Sequence, residues 1–429
     1  MKARTIFFVG LLVGLLPGLG AAGNDKEKRV VVGRQFSPIG TLLVQEKGKK
    51  AWSFPELYAG ISSGDRLLVL PGAKGVVQVK EGDVHLTLSG RLPGLSPSNI
   101  LEAAARLHAD KDFDLDMTLE EGRALIENHK KDGPVKVRLR IQDDNVDVTL
   151  VNKDAVVAIE AYRAWPAGTP FSKKTIKDRE PEIHLGLLIL KGKVELQLKT
   201  EKHSLTAPAN GAAEFHLSSF GGFRGPVLLD KAPLWMKPGA DKSKQTTAWY
   251  KEVENLRRLL ADKKAIDSVL ADLLKNKDPL RRANGVLNAG ALGDVGLVLA
   301  GLKDNKADVR RAAILALIHG CNRSQKADHA WYQALLDNKY PAGQAEIVME
   351  LLHGFSAKDL QTPETYESLI SYLQHKNMGI RELAAWRLYA LVPQGKDIVY
   401  DADSTAEERA RAQAAWRKLV PEGKLPPRP

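Results

Sequence analysis

Four aspartates at alternate positions, Asp110, Asp112, Asp114 and Asp116, form the densest group of ligand-type side chains in the chain. Asp110, Asp112, Asp114, Thr118 and Glu121 supply oxygens at positions 1, 3, 5, 9 and 12 of a helix-loop-helix calcium loop. That loop needs glycine at position 6 for its sharp turn, and Leu115 stands there. Phe113, Leu115, Met117 and Leu119 also alternate with the acidic residues. The spacing therefore predicts a strand with an acidic outer face that ends in a turn at Glu121-Gly122, and the calcium reading of Asp110, Asp112, Asp114 and Glu121 is the weaker one. Lys136, Arg138 and Arg140 form a row of cations on a second alternating segment. They suit either an anionic ligand or, as the favoured reading, a solvated face paired with Asp147 across a hairpin. Trp52 and Trp165 have the rings that stack on sugars, although a packing role is commoner. Asp401-Ala-Asp403 reads as turn chemistry rather than metal ligation.

The remaining chemistry is sparse. There is no Gly-Lys-Ser/Thr phosphate loop and no His-Glu-x-x-His. The ten histidines are scattered, and no two stand at metal-ligand spacing on one helix face. Cys321 is the single cysteine, so no intrachain disulfide forms, and its place at the end of a helical pattern marks it as a packing residue rather than a nucleophile. No catalytic, cofactor-binding or metal residue is assigned, and the expectation is a protein that is not an enzyme and carries no cofactor.

Net charge of +11 is spread evenly, with 34 Lys/Arg against 28 Asp/Glu before residue 241 and 29 against 24 after it. A nucleic-acid domain concentrates its charge in a patch or arm, and this chain does not. At the N-terminus, Lys2 and Arg4 precede an apolar run from Ile6 to Leu19, then Gly20-Ala-Ala-Gly23 and a polar stretch. This is the order of a secretory signal, with cleavage after Ala22 or Gly23. The expected location is periplasmic or cell-envelope. The alternative is an uncleaved anchor in the inner membrane formed by residues 6–22, which is short for a spanning helix.

The elements that must position these residues change type near Trp249. Upstream, apolar residues recur with period 2, as in Val135-Lys-Val-Arg-Leu-Arg-Ile141; downstream they recur every three or four residues, as in Val309 to Ile318. The fold expected is α+β by segregated domains: signal over 1–23, a β-rich domain over 30–235, a linker over 236–248, a helical domain over 249–420 and a Pro-rich tail over 421–429. Hairpins are predicted at Val77–Lys80/Val84–Leu88, Val135–Ile141/Val146–Leu150 and Ile183–Leu187/Val194–Leu198, the last turning at Lys191-Gly-Lys193. One short helix is predicted over Asn99–His108, with Asn99 and Glu102 at capping-box spacing.

Leu57-Tyr-Ala-Gly60, Ser63-Gly64-Asp65, Pro71-Gly72-Ala73 and the first hairpin resemble the opening of FecR-like domains. Leu119-Glu-Glu-Gly122-Arg123 resembles that family's second glycine-marked turn, and Leu205 to Gly211 its final strands. The resemblance covers about residues 40–220 and implies an exported all-β module of sandwich or jelly-roll type. In signalling members a cytoplasmic domain controls a sigma factor; only Met1–Thr5 precede the apolar run, so that domain is not expected here.

Three later segments align on Arg281, Arg310 and Arg381, which are 29 and 71 residues apart, with a unit lacking the arginine at Tyr340–Ala345. Helix pairs at such a period mark an α-solenoid. Asp308-Val-Arg310 resembles the second helix of HEAT repeats over about residues 250–395, with a closing helix opening near Ser404–Glu407. Together these features predict a non-enzymatic envelope adaptor, sensor or scaffold. Protein partners would dock on the solenoid face, lined by segments such as 308–319 and 378–391. An anionic or carbohydrate envelope component is a further candidate ligand for the β domain, nucleic acid is not expected, and membrane contact follows only from an uncleaved segment. The alternatives are a membrane-anchored signalling relay and an enzyme, either carbohydrate-active or resembling HEAT-like bilin lyases.

Overall fold

Alternating apolar residues form strands wherever one face can be buried, and among the described residues they form sixteen. The computed structural model describes residues 29–92, 100–141, 144–233, 243–262 and 265–427. The segment 1–23 expected to be an export signal, Asn99, much of the expected linker and the last two residues of the tail lie outside them. A large sheet region is followed by an all-helical region of ten helices. The strands are β1 (Val31–Gln35), β2 (Leu42–Gln45), β3 (Gly60–Ser62), β4 (Arg66–Val69), β5 (Lys74–Val79), β6 (Val84–Ser89), β7 (Ala103–His108) and β8 (Leu115–Asn128). They continue as β9 (Val135–Ile141), β10 (Asp144–Leu150), β11 (Val156–Ala164), β12 (Glu182–Lys191), β13 (Lys193–Leu198), β14 (Glu201–Thr206), β15 (Ala212–Ser218) and β16 (Gly222–Leu229).

The strands pair in two series that share β8. One runs β3-β1-β5-β6-β8-β11-β12-β15-β16 and the other β2-β4-β7-β8-β9-β10-β13-β14. All pairs are antiparallel except β8 with β9. The first half of β8 pairs with β7 and β9, and its second half with β6 and β11. The crossing falls at Gly122, where φ is +98° and a Cβ would lie 2.3 Å from the Ala103 Cα. Glu121-Gly122 is therefore a kink within one long strand, not a terminating turn. Gly192 (φ +78°) likewise separates β12 in one series from β13 in the other. The hairpin predicted there does not exist, because a glycine that turns a hairpin and one that carries the chain between layers look alike in sequence. The other two hairpins form, with Val79 opposite Val84 and Arg138 opposite Asp147.

The predicted helix over 99–108 is strand β7. Its Ala103 and Ala105 face a core shared by both strand series, whereas Ala104 faces the helices. The neighbours behave alike: Leu67 and Val69 of β4 enter the β core and Leu68 the helical one, while Leu42 and Val44 of β2 oppose Leu43. A strand buried on both faces loses its polar alternation and reads as a continuous apolar run. β2, β4 and β7 thus form a middle layer, and the helical core continues into it through Leu43, Leu68, Leu70, Leu101 and Ala104.

The helices are α1 (Lys244–Ala261), α2 (Ile266–Leu274), α3 (Pro279–Leu292), α4 (Val295–Gly301), α5 (Ala307–Cys321), α6 (Gln325–Asp337), α7 (Ala342–His353), α8 (Pro363–Tyr372), α9 (Met378–Leu391) and α10 (Ala406–Leu419). Side-chain oxygens of Ser243, Asp278, Asp294, Ser324 and Asn377 accept from first-turn N–H groups. These caps satisfy donors that have no intrahelical partner. The last capping box is Thr405 with Glu408, one residue beyond its predicted place. α3 packs on α5, α5 on α7 and α9, and α7 on α9; α2, α4 and α6 form a parallel row of contacts. Trp416 of α10 is fully buried.

Candidate functional site

Where α5 ends against the middle layer, four ionisable side chains meet in the interior. Glu102 precedes β7, Glu121 stands at the β8 kink, His319 occupies the last turn of α5, and Arg323 follows that helix. Glu102 is fully buried, and Glu121 and His319 nearly so. His319 Nε2 is 2.9 Å from one Glu102 oxygen and 3.2 Å from one of Glu121. Arg323 Nη2 donates to the other Glu102 oxygen and to the Ala291 carbonyl, and its Nε lies 3.3 Å from Glu121.

Burial disfavours every charge here, so neighbours decide each protonation state. Burial alone would raise Glu102, but Arg323 and His319 outweigh it and hold the carboxyl below its usual range. Glu121 is pushed up to about 7, first by burial and then by Glu102. Burial would lower His319 and Arg323, yet the two carboxylates leave both above their usual values. The cluster therefore holds one firm carboxylate, one carboxyl that takes up a proton readily, the Arg323 cation, and a histidine whose charged form is favoured by the carboxylates. Its charges are paired with one another across the junction.

The chain after β11 clasps the helices beside this cluster. Trp165 donates its indole N–H to the Cys321 carbonyl (3.1 Å) and its backbone N–H to Asn322 Oδ1. Gln325, at the start of α6, accepts from the Ile176 N–H and donates to the Ile176 and Arg179 carbonyls. His353 places Nδ1 2.8 Å from the Thr169 carbonyl and Nε2 3.0 Å from Asp328, and its ring stacks on Trp165. Cys321 is buried, and burial followed by Asp328 pushes its thiol well above the ordinary range. Only Trp165 and Cys321 of this assembly stood out in the sequence.

Between the clasp and the ends of α7 and α8 lies an open groove of about 420 Å³. Its lining includes Thr169, Glu350, Phe355, Glu364, Ser368 and Tyr372. Burial, then Glu346, raises the Glu350 carboxyl above its ordinary value. Glu350, Asp359 and Glu364 give the groove an acidic character, and no lysine or arginine lines it.

The predicted site residues lie elsewhere. Arg310 is fully buried: it donates to the Asp304 carbonyl and pairs with Glu382 (2.6 Å) and Asp401 (2.5 Å). Arg381 donates to the carbonyls of His375, Lys376 and Ala402. The residue in the same relation to its own loop is Arg282, which donates to the Asn276 and Lys277 carbonyls and binds Asp304 with two hydrogen bonds. Arg281 instead points to Glu252. The marker register is therefore one residue later than the sequence alignment placed it, because adjacent arginines are indistinguishable by eye. The segments expected to line a docking face, α5 and α9, are buried around most of their circumference. α5 packs against α3, α4, α6, α7 and α9, and its C-terminal end meets Glu102 and Glu121 of the sheet region.

In the acidic stretch, Asp114 accepts from Lys130 Nζ and the Lys136 N–H, Asp116 accepts twice from Arg140, and Asp110 caps the Asp112 N–H. Arg138 pairs with Asp147 through two hydrogen bonds and lies over the Phe113 ring. The cationic row is thus matched by carboxylates at two of its three members. Among the glycine-marked turns, Gly64 (φ +81°) precedes Asp65, whose buried carboxylate accepts from the Ser62 and Lys47 N–H groups and from Arg29. Gly72 (φ +78°) abuts Leu92 and Val253, Arg123 pairs with Glu160, and a Cβ on Gly211 would meet the Leu229 carbonyl. Gly60-Ile-Ser62-Ser-Gly64 has the residue spacing of a nucleophile elbow. It joins β3 to β4 rather than a strand to a helix, so it lacks the context the motif requires.

No family model matches the chain, and no curated protein or solved structure does either. No helix among the described residues is long and apolar enough to cross a membrane.

Proposed function

We propose that this chain is a non-enzymatic, exported cell-envelope protein that binds or senses a partner as an adaptor or scaffold. The acidic groove at the junction of its two regions carries this reading. A concavity between two packed regions is where ligand sites concentrate, and this one offers carboxylates and aromatic rings to a basic segment of a partner protein. The strongly perturbed ionisable groups nearby are engaged in holding the regions together, which supports binding over catalysis. Two strand series around one core support a sandwich of FecR-like type. Two rows of helices and the loop-anchoring arginines Arg282, Arg310 and Arg381 support a HEAT-like solenoid.

Photo-crosslinking residues at Glu364 and Ser368 in the groove, with Glu195 on β13 as the distant control, test this in native envelopes. One discrete adduct at both groove positions and none at Glu195 is expected; the same background at all three positions overturns the groove reading. N-terminal sequencing of the mature protein separates export from anchoring. A chain starting near Gly23 supports a released protein, and one starting at Met1 supports the membrane-anchored relay.

A further inference from the structure

β5, β6 and β8 lie side by side, and their outward residues fall into one row. Gln78 stands opposite His85, and His85 opposite Glu127. His129 follows Glu127 by two positions and so returns to the same face. Its backbone N–H donates to the Asp83 carbonyl at 2.8 Å, which fixes it beside the row. The His129 ring stacks on His85, with centroids 3.9 Å apart. One ligand atom from each of His85, Glu127 and His129 lies within 4.8 Å of the other two. The Gln78 amide reaches the same point, 3.1 Å from His85 Nε2.

We propose that His85, Glu127 and His129 form a binding site for a divalent transition metal of the zinc class, with the Gln78 carbonyl or water at a fourth position. Two imidazole nitrogens and one carboxylate oxygen are a zinc donor set, and nitrogen donors disfavour calcium and magnesium. Ligand atoms on a tetrahedral zinc stand roughly 3.3 Å apart, given bonds of about 2.0–2.1 Å. The spread of at most 4.8 Å closes to that distance by up to about 1.5 Å of side-chain movement, for which half-exposed groups on an outer face have room. An amide flip at Gln78 presents its oxygen instead of its nitrogen without moving the chain.

Comparison with the other histidines sharpens the assignment. His184, His203 and His216 each stand beside a single carboxylate, Glu182, Glu201 and Glu214 respectively. Among the described residues, the other three-ligand group is Glu102, Glu121 and His319. There the Arg323 guanidinium already occupies the carboxylates and would repel a cation. Among the described residues no lysine or arginine pairs with the outer-face cluster, and Phe36 flanks it at 6.2 Å from His85 as an apolar wall. This inference does not rest on the adaptor reading.

Full-length protein stripped with a chelator, titrated with zinc chloride by calorimetry and by competition with a chromophoric chelator, tests the site. One equivalent bound with micromolar affinity is expected, with a zinc-dependent rise in the unfolding midpoint. His85→Ala, His129→Ala and Glu127→Gln should each weaken binding at least tenfold, while His216→Ala leaves it unchanged; circular dichroism confirms that the variants fold. Absence of saturable binding at 100-fold excess zinc, or affinity unchanged in folded His85→Ala and His129→Ala proteins, overturns the assignment.

Discussion

Replacing Glu121 with glutamine should strengthen the protein at pH 8 and do little at pH 5, whereas the same change at Glu102 should weaken it at both. The Glu121 pKa rises from 4.5 to about 7 because burial and then the Glu102 charge oppose its ionisation. At about 1.4 kcal/mol per unit, keeping it ionised in the fold costs about 3 kcal/mol. A raised folded pKa contributes stability that is complete below pH 4.5 and lost as pH rises to about 7. Glutamine mimics the protonated carboxyl and never incurs that loss. The gain at pH 8 is then up to about 3 kcal/mol, reduced by the lost contact with Arg323 Nε at 3.3 Å. His319 acts in the same direction, since its raised pKa favours the fold below 6.5 and that contribution fades as pH rises through the folded value.

Glu102 has the opposite sign. Its folded pKa is lowered, so its stabilisation is present above pH 4.5 and disappears only as pH falls through the folded value. Glutamine there leaves His319 and Arg323 with too little negative charge in a buried site, a loss of about 3–5 kcal/mol. Urea unfolding of the full chain, followed by tryptophan fluorescence at pH 5 and pH 8, measures all four differences. If Glu121→Gln destabilises at pH 8 as much as Glu102→Gln does, or by the same amount at both pH values, the division of labour between the two carboxylates is refuted.

Four further outcomes follow from the packing. Arg310→Leu should cost about 3–5 kcal/mol in the same urea assay, because Glu382 is left buried without its cation; Arg282→Ala should cost more than Arg281→Ala. Gly122→Ala should abolish soluble folding or cost at least about 2 kcal/mol, through a left-handed backbone and a Cβ overlap with Ala103; Gly133→Ala, with equal φ strain but open space, should cost about 1–2 kcal/mol. Cys321 should resist a disulfide-exchange reagent in the native protein, and Trp165→Phe, which removes the bond to the Cys321 carbonyl, should speed its labelling several-fold. Residues 29–233 expressed alone should bind a hydrophobic dye or aggregate, because Leu43, Leu68, Leu70 and Ala104 lose their helical cover.

The change of period at Trp249 correctly divides strands from helices, since each element's rhythm records which of its faces is buried. Legibility failed where that rule has no purchase. Ala103-Ala-Ala105 is buried on both faces, so small apolar residues without alternation read as helix and Glu102 read as a cap. Gly122 read as a turn ending a strand and Gly192 as a hairpin turn, because a glycine suited to positive φ does not say whether the chain reverses or changes layer. Glu102, Glu121, His319 and Arg323 come from three separate stretches, and no local spacing links them. His85 and Glu127 pair through strand register alone. The arginine markers were legible as a set because each acts on its own preceding loop, and they failed by one residue only where two arginines adjoin.

The middle layer alters what the helical region is for. A repeat array is expected to expose its second helices to a partner, but α5 is packed among α3, α4, α6, α7 and α9, and at its end His319 and Arg323 meet Glu102 and Glu121 of the sheet region with buried charge. Burying those charges is costly unless every partner is in place, so the cluster favours one register between sheet and helices and penalises all others. The adjacent groove is lined by Thr169 of the clasp and Ser368 of α8 together, so the binding energy of the proposed partner would depend on that register as well. Protonation of Glu121 and occupation of the groove would then bias the same packing, which is the physical basis on which the proposed sensing role would rest.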